Sequence, residues 1–560
     1  MSGNRPAATT TDANLPGARV RPVPAALALV LLGILPGLLA MLLRPPAPLD
    51  ELRYLAVAWE MWRDGHVLVP HLNGLPYSHK PPALFWIIHA GWALFGVSEW
   101  WPRLIPVLAG LAGVGLTRRL AAALWPQDRG TAALAPWLLA GCMAWLIFTQ
   151  MVMFDVLLTV CVLLGMWGLW SAAREEHPLG WLAIAVAIGA GILSKGPVIF
   201  AQLLLPAALA PLWQPGLRQR PGHWYRRLLG AATLGIGLAL LWAVPAAQRG
   251  GPEYASAILW HQTADRMGES FAHARPWWFY LPTLPALFLP WTALPGAWRG
   301  CTAIARDAAR TFLVVWIASV TLALSLISGK QPHYILPLLP ALAILAARSL
   351  SGIRSEATAA ARHVLGGLPA LLTVAAAAWL LWSAHQHGLG WLQSGAGWPL
   401  AALPICLWAA RNGSVTAAAR RAALAMGSVF VLVLSGFAHN PVAAGHDLRA
   451  AAATVRDLQN AGAEVVALEH YQGQFTFTGR LARPIPVVVR ADLPAWSALH
   501  PGAYVIVFKD RLPPGITAAA LADFPYRSQR LTIWRVGSAV AGKIGAAVQG
   551  ATAAPGDGRR

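Results

Sequence analysis

The sequence predicts an all-α polytopic membrane protein with a small α/β domain near its C-terminal end. Three observations carry this. Apolar runs of about 16 to 22 residues recur along most of the chain, and each can cross a hydrocarbon core roughly 30 Å thick. Only 12% of the residues are charged and 57% are hydrophobic, whereas a soluble protein carries roughly 25% charged residues. Beyond about residue 439 the long runs give way to short Val/Leu-rich ones.

Taken in order, residues 1–22 are a polar tail with Arg5, Arg19 and Arg21. The run 23–43 is too long for the apolar core of a cleaved signal and is read as a retained first helix. Further spans are placed at 103–117, 131–148, 156–172, 180–193, 198–213, 228–247, 278–297, 311–328, 334–349, 363–384, 396–410 and 422–438, about 13 transmembrane helices in all. The segment 82–96 is apolar but short. In the tail, the runs 464–468, 485–489 and 504–508 read as strands, and Asp447 to Ala461 reads as a helix ended by Gly462. The expected units are a tail (1–22), a transmembrane domain (23–438), an α/β domain (439–540) and a disordered Ala/Gly-rich end (541–560).

The net charge of +20 does not point to nucleic acid, because the arginines gather in short loops between apolar runs. The 28 tryptophans fit a membrane interface. The four cysteines are isolated, without metal-ligand spacing or a disulfide framework.

Charge also sets orientation. If 82–96 lies along the surface, one set of loops holds the N-terminal arginines, Arg118, Arg119, Arg129, Arg174, Arg218, Arg220, Arg226, Arg227, Arg299, Arg306, Arg310 and the later arginine loops. That set belongs in the cytoplasm. If 82–96 crossed, the N-terminal and later arginines would face opposite sides, so it is read as a juxtamembrane or re-entrant helix of the first outer loop. The polar features that stand out then share the outer face: Asp50, Glu51, Lys80 and Glu99; Asp155; Lys195; Glu253, His261, Asp265, Arg266 and Glu269; and Lys330 to Tyr334. ATP is scarce there, so a reaction on that side needs a pre-activated substrate.

Each of these residues has a structural reading beside a functional one. Asp50-Glu51 can be a first-turn acidic pair, or a base or cation-binding carboxylate beside a phosphate. Lys80-Pro81-Pro82 can be an interfacial lysine before a proline helix start, or a cation over an anionic headgroup. Asp155, among Met153, Phe154 and Val156, can be a helix cap, but ionisable groups in such apolar settings mark sites. Lys195 can snorkel. Arg266 can be a solvated loop residue or a phosphate ligand, and Tyr334 an interface anchor or a substrate contact.

Together these segments resemble a known family. They are Asp50-Glu51-Leu52-Arg53-Tyr54, Pro70-His71-Leu72-Asn73-Gly74 with Lys80-Pro81-Pro82, Phe154-Asp155-Val156-Leu157-Leu158, Leu193-Ser194-Lys195-Gly196-Pro197 and Lys330-Gln331-Pro332-His333-Tyr334. In this order they resemble the bacterial lipid-linked-sugar glycosyltransferases typified by the lipid A aminoarabinose transferase, relatives of the protein O-mannosyltransferases. Leu72 to Pro82 is the most specific block. The resemblance implies a GT-C fold and transfer of a sugar from a polyprenyl phosphate to a lipid or glycan acceptor at the outer face of a bacterial inner membrane. It implies Asp50 as an essential acidic residue of the first loop and Asp155 as a second acidic residue facing the cavity; with Glu51, beside Asp50, these are the catalytic candidates. Lys80, Arg266, Tyr334, Lys195, His79 and His333 become candidates for binding the substrate phosphate, and Asp50 the candidate ligand of a divalent cation. The family commonly has Glu immediately before Lys-Pro-Pro; here it is His79, which leaves the acceptor open. A protein O-mannosyltransferase-like enzyme shares these features. A lipid transporter or flippase fits less well, because neither internal repeats nor midplane charges are present.

Overall fold

The computed structural model describes residues 24–47, 49–174, 179–261, 274–294, 296–298, 307–353, 358–509, 520–527 and 529–536. The predicted polar tail and C-terminal end, Arg266 and the side chain of His261 lie outside the described residues.

Eight helices among the described residues are long and apolar enough to span a bilayer: Ala25–Leu43, Trp100–Leu124, Phe154–Arg174, Pro221–Leu259, Ala308–Leu326, Pro332–Ser351, Ala359–His385 and Val415–Ala438. The chain is a multi-pass membrane protein. The remaining predicted spans are helical but short or broken. The stretch 131–148 divides into α5 (Arg129–Ala140) and α6 (Met143–Phe148). The break lies at Gly141, where an added Cβ would stand 2.5 Å from that of Ala423. Proline accounts for others: Pro206 ends α9 (Val198–Ala208) early, and Pro285 lies in the short helix Tyr280–Leu287.

Between α1 (Ala25–Leu43) and α4 (Trp100–Leu124) lies the first loop. It carries α2 (Asp50–Arg63), a hairpin of β1 (His71–Leu72) and β2 (Leu75–Pro76), and α3 (Ala83–Phe95). At 13 residues α3 is too short to cross. Arg103 of α4, buried, donates to the carbonyls of Ala40, Met41 and Arg44, so it caps the end of α1 and fixes where the loop leaves. The hairpin turns on Asn73 (φ 57°) and Gly74 (φ 78°), the left-handed pair that a two-residue turn requires. Buried Glu60 of α2 accepts both their N–H groups, at 2.7 and 2.9 Å.

The C-terminal domain is a five-stranded sheet in the order β4-β3-β5-β7-β6. Its strands are β3 (Val465–Leu468), β4 (Val487–Val488), β5 (Tyr504–Lys509), β6 (Ala522–Tyr526) and β7 (Gln529–Arg535). β3 runs parallel to β4 and β5; β7 is antiparallel to β5 and β6. Alternate residues of β3 serve opposite faces. Val465 and Ala467 pack with the helix Arg449–Asn460, and Val466 and Leu468 with the helix Leu493–Leu499.

This domain sits on the first loop. Asn73 and Ile485 exchange two hydrogen bonds, at 2.6 and 2.7 Å. Trp59 and Arg63 both donate to the Leu481 carbonyl, and Phe477 stacks on Trp92 with ring centres 5.5 Å apart.

Candidate active site

Neighbouring residues on a helix point about 100° apart, and this separates Asp50 from Glu51. Glu51 turns inward and is 2% exposed. Its carboxylate accepts from Arg44 at 2.7 Å, from the Ala47 N–H at 2.5 Å and from the Val152 N–H at 3.2 Å. Burial alone would raise this carboxyl; the charge and hydrogen bond of Arg44, helped by Arg103, hold it below its ordinary value. Glu51 thus ties α2 to the end of α1 and to the turn before α7 (Phe154–Arg174).

Asp50 turns outward. It is ion-paired with Arg53 three residues on, and the Arg53 guanidinium also lies 5.6 Å from the Tyr54 ring centre. Tyr54, four residues from Asp50 on the same face, meets Phe154 edge-on at 4.9 Å, and Phe85 meets Phe154 at 5.6 Å. These rings form an aromatic floor. Lys80 stands above it, with Nζ 5.8 Å from the Phe154 ring centre. The His79 ring is 5.3 Å from that of Tyr77.

Asp155 is in the first turn of α7, and Lys195 is the last residue of α8 (Gly180–Lys195). Acid at a helix start and base at a helix end both suit the helix dipoles. Gly196, at φ 81°, stops α8 at that point. The two side chains form a buried ion pair, 3% and 9% exposed. The segment Pro332–Leu338 closes over them. His333 Nε2 is 4.0 Å from the Asp155 carboxylate, and Lys195 Nζ lies 4.5 Å from the Tyr334 ring centre. Lys80 is within electrostatic reach of Asp155, and His333 within reach of Asp50 and Lys80.

The structure therefore brings Asp50, Lys80, Asp155, Lys195, His333 and Tyr334 to one region. It places Glu51 behind them as an anchor. Glu99 pairs instead with Arg103 and Arg449. Lys330 is buried, donating to the carbonyls of Arg275 and Ile327. Arg53, Tyr54 and Phe154 belong to the region without having been singled out; their spacing from Asp50 and their adjacency to Asp155 are the sequence signals. Among the described residues no three His, Cys, Asp or Glu side chains converge as a metal site. Asp50, the expected cation ligand, is ion-paired with Arg53.

The fold is that of a polytopic helical membrane protein of the GT-C type with a small C-terminal sheet domain. Its fold is that of ArnT from Cupriavidus metallidurans in the crystal structure bound to undecaprenyl phosphate. The TM-score is 0.71 at 21% identity, over 92% of this chain and 98% of that one. The apo form of the same protein gives 0.69 at 21% identity, over 92% and 99%. Residues 79–245 match the family model described as dolichyl-phosphate-mannose-protein mannosyltransferase. The undecaprenyl phosphate-alpha-4-amino-4-deoxy-L-arabinose arabinosyl transferase of Pseudomonas aeruginosa (strain UCBPP-PA14) is 35% identical over 318 residues, 54% of this chain and 55% of the relative. That of Pseudomonas paraeruginosa is 34% identical over 351 residues, 59% and 61%. The chain matches a little more than half the length of these curated relatives. The resemblance expected from the motifs stands: the chain is similar to lipid-linked-sugar glycosyltransferases.

Proposed function

We propose that this protein is an integral-membrane glycosyltransferase that moves a sugar from a polyprenyl-phosphate donor to a lipid or glycan acceptor of the lipid A or core type. One observation carries the reading. Lys80 stands over the Phe154 ring within electrostatic reach of the Asp155–Lys195–His333 group, and His333 is within reach of Asp50, in a fold whose ArnT counterpart was crystallised with undecaprenyl phosphate. The arginine-rich loops support an inner-membrane orientation with a cytoplasmic N-terminus and the site and sheet domain on the periplasmic side.

In this reaction the bond between the anomeric carbon and the phosphate oxygen breaks, and a bond from the acceptor oxygen to that carbon forms. The phosphate leaves with developing negative charge. Lys80 stabilises it from a position preorganised over Phe154, and Arg266 is a second candidate. One such donor is worth on the order of 10²- to 10³-fold in rate. Asp50, half-exposed, receives the proton of an acceptor hydroxyl; a phosphate acceptor needs no base. Asp155 is committed to Lys195, so it holds that lysine and His333 in place. A single displacement inverts the anomeric centre.

The test is transfer from undecaprenyl-phosphate-linked aminoarabinose to lipid A by the purified protein in lipid nanodiscs. Asp50→Asn and Lys80→Met should each lose at least about 100-fold in rate while remaining folded. Wild-type rates in both would remove the assignment. The mannosyltransferase family match favours a protein acceptor as the second reading; labelled sugar appearing in protein and not in lipid would select it.

A further inference from the structure

Arg53 is held from two sides. Its Nη2 pairs with Asp50, and its Nη1 donates to Oε1 of Gln472 at 3.0 Å, from 419 residues away in the chain. Arg53 Nε is buried without a hydrogen-bond partner; these two hydrogen bonds, with the Tyr54 ring beside the guanidinium, orient the fork. Gln472 belongs to the segment between β3 and β4, by which the C-terminal domain sits on α2.

That segment is itself set in place. The Gln472 N–H donates to Gln474 Oε1 at 2.8 Å. The Tyr471 hydroxyl bonds Thr476 Oγ1 at 2.8 Å and accepts from the Phe475 N–H at 3.2 Å. The next residue, Gly473, has φ 80°, and a Cβ there would stand 2.5 Å from that of Ala56 and 3.0 Å from Leu72 Cδ1. Only a glycine backbone approaches α2 this closely, within one turn of Arg53.

We propose that Gln472 is a positioning residue for the carboxylate end of the site: through Arg53, the C-terminal domain fixes the side chain of Asp50. This rests on the reading of Asp50 as the group that faces the acceptor. A free arginine side chain samples many rotamers, and ordering it carries an entropic cost. Gln472 removes that freedom beforehand by holding one side of the fork while the other meets Asp50. Without Gln472, water replaces this exposed contact on the outer side of the fork, and the Arg53–Asp50 pair loses its fixed geometry.

The charged and titratable groups that face Asp50 are Arg53 and Tyr54 from α2 and His333 from the segment Pro332–Leu338. Tyr77, beside the hairpin, acts on Arg53 and Tyr54. Of these, Arg53 is the cation in direct contact.

The experiment uses the full chain in nanodiscs with undecaprenyl-phosphate-linked aminoarabinose and lipid A. Gln472→Met keeps the bulk and removes the acceptor. It should lower kcat on the order of 10-fold, the worth of one hydrogen bond to a charged group, and leave KM for the donor unchanged. Gln472→Glu, which keeps the acceptor oxygen, should restore kcat. Asn73→Ala cuts the docking at a different place; it should lower thermal stability without lowering kcat. Should Gln472→Met fail to fold, Arg53→Lys, which cannot span both partners, should give the same kcat loss with KM unchanged. Wild-type kcat in the folded variant would overturn the proposal, as would an equal kcat loss in Asn73→Ala. Asp50→Asn separates the two levels: full activity there defeats the underlying reading, whereas its inactivity beside an unaffected Gln472→Met defeats this inference alone.

Discussion

The buried pair of Asp155 and Lys195 makes a quantitative test of how the site is held. With 3% and 9% of their side chains exposed, neither charge has water to replace its partner. Removing one member of such a pair costs about 3–5 kcal/mol, because the other is left buried and uncompensated. Removing both replaces the pair with a neutral packing problem, whose cost is about 1–2 kcal/mol. Lys195→Met and Asp155→Asn should therefore each lose about 3 kcal/mol or more, and the double variant should recover most of it, giving a coupling of at least about 2 kcal/mol. His333, with Nε2 4.0 Å from the Asp155 carboxylate, is the nearest polar neighbour left to it, so Lys195→Met belongs at the lower end of the range. Unfolding free energies in mixed micelles, measured for all four proteins under one condition, supply the cycle. Additive single losses, or a Lys195→Met loss under about 1 kcal/mol, would refute the claim that this pair is a dry, mutually dependent unit.

Two further outcomes follow from the geometry. Glu51 is held below its ordinary carboxyl value, so its stabilising contribution is fully present above its unfolded value near 4.5 and is lost as pH falls through the lower folded value. Glu51→Gln should be less stable than wild type at neutral pH and should show a flatter fall in thermal midpoint from about pH 5 to pH 3; an unchanged slope would detach Glu51 from acid unfolding. Gly91 of α3 faces the Trp101 ring so closely that a Cβ would enter it. Gly91→Ala should then destabilise by about 1–3 kcal/mol through overpacking, read as a lower melting midpoint, and an unshifted midpoint would contradict the tight α3–α4 contact.

Much of this architecture was legible because it rests on local patterns. Apolar run length marks α1, α4 and α7, and a short Val/Leu-rich run marks β3 (Val465–Leu468). Asn73-Gly74 carries the local signal of the hairpin turn, an element absent from those expected. What was not legible depends on distant partners. Helix α5 stops where Gly141 meets Ala423, and no local signal contains Ala423. β6 is an antiparallel edge strand and β7 lies between it and β5; with Asp523, Pro525 and Arg530 among their residues, neither reads as a β-branched run. The site divides in the same way. Asp50 and Glu51 are adjacent and chemically alike, and which one faces inward is decided by Arg44 and Val152. Gln472 could not have been found from its neighbours, since its role comes only from reaching Arg53.

The central claim is that the site transfers a lipid-linked sugar to an acceptor of the lipid A or core type. Its most direct test is the mass spectrum of lipid A and core oligosaccharide from a strain lacking this protein, complemented with the wild type or with Asp50→Asn. The account predicts a sugar-sized mass increment that disappears with the deletion, returns with the wild type and does not return with Asp50→Asn. Identical lipid A and core spectra in all strains, with the protein present in the membrane and its sugar donor supplied, would contradict it.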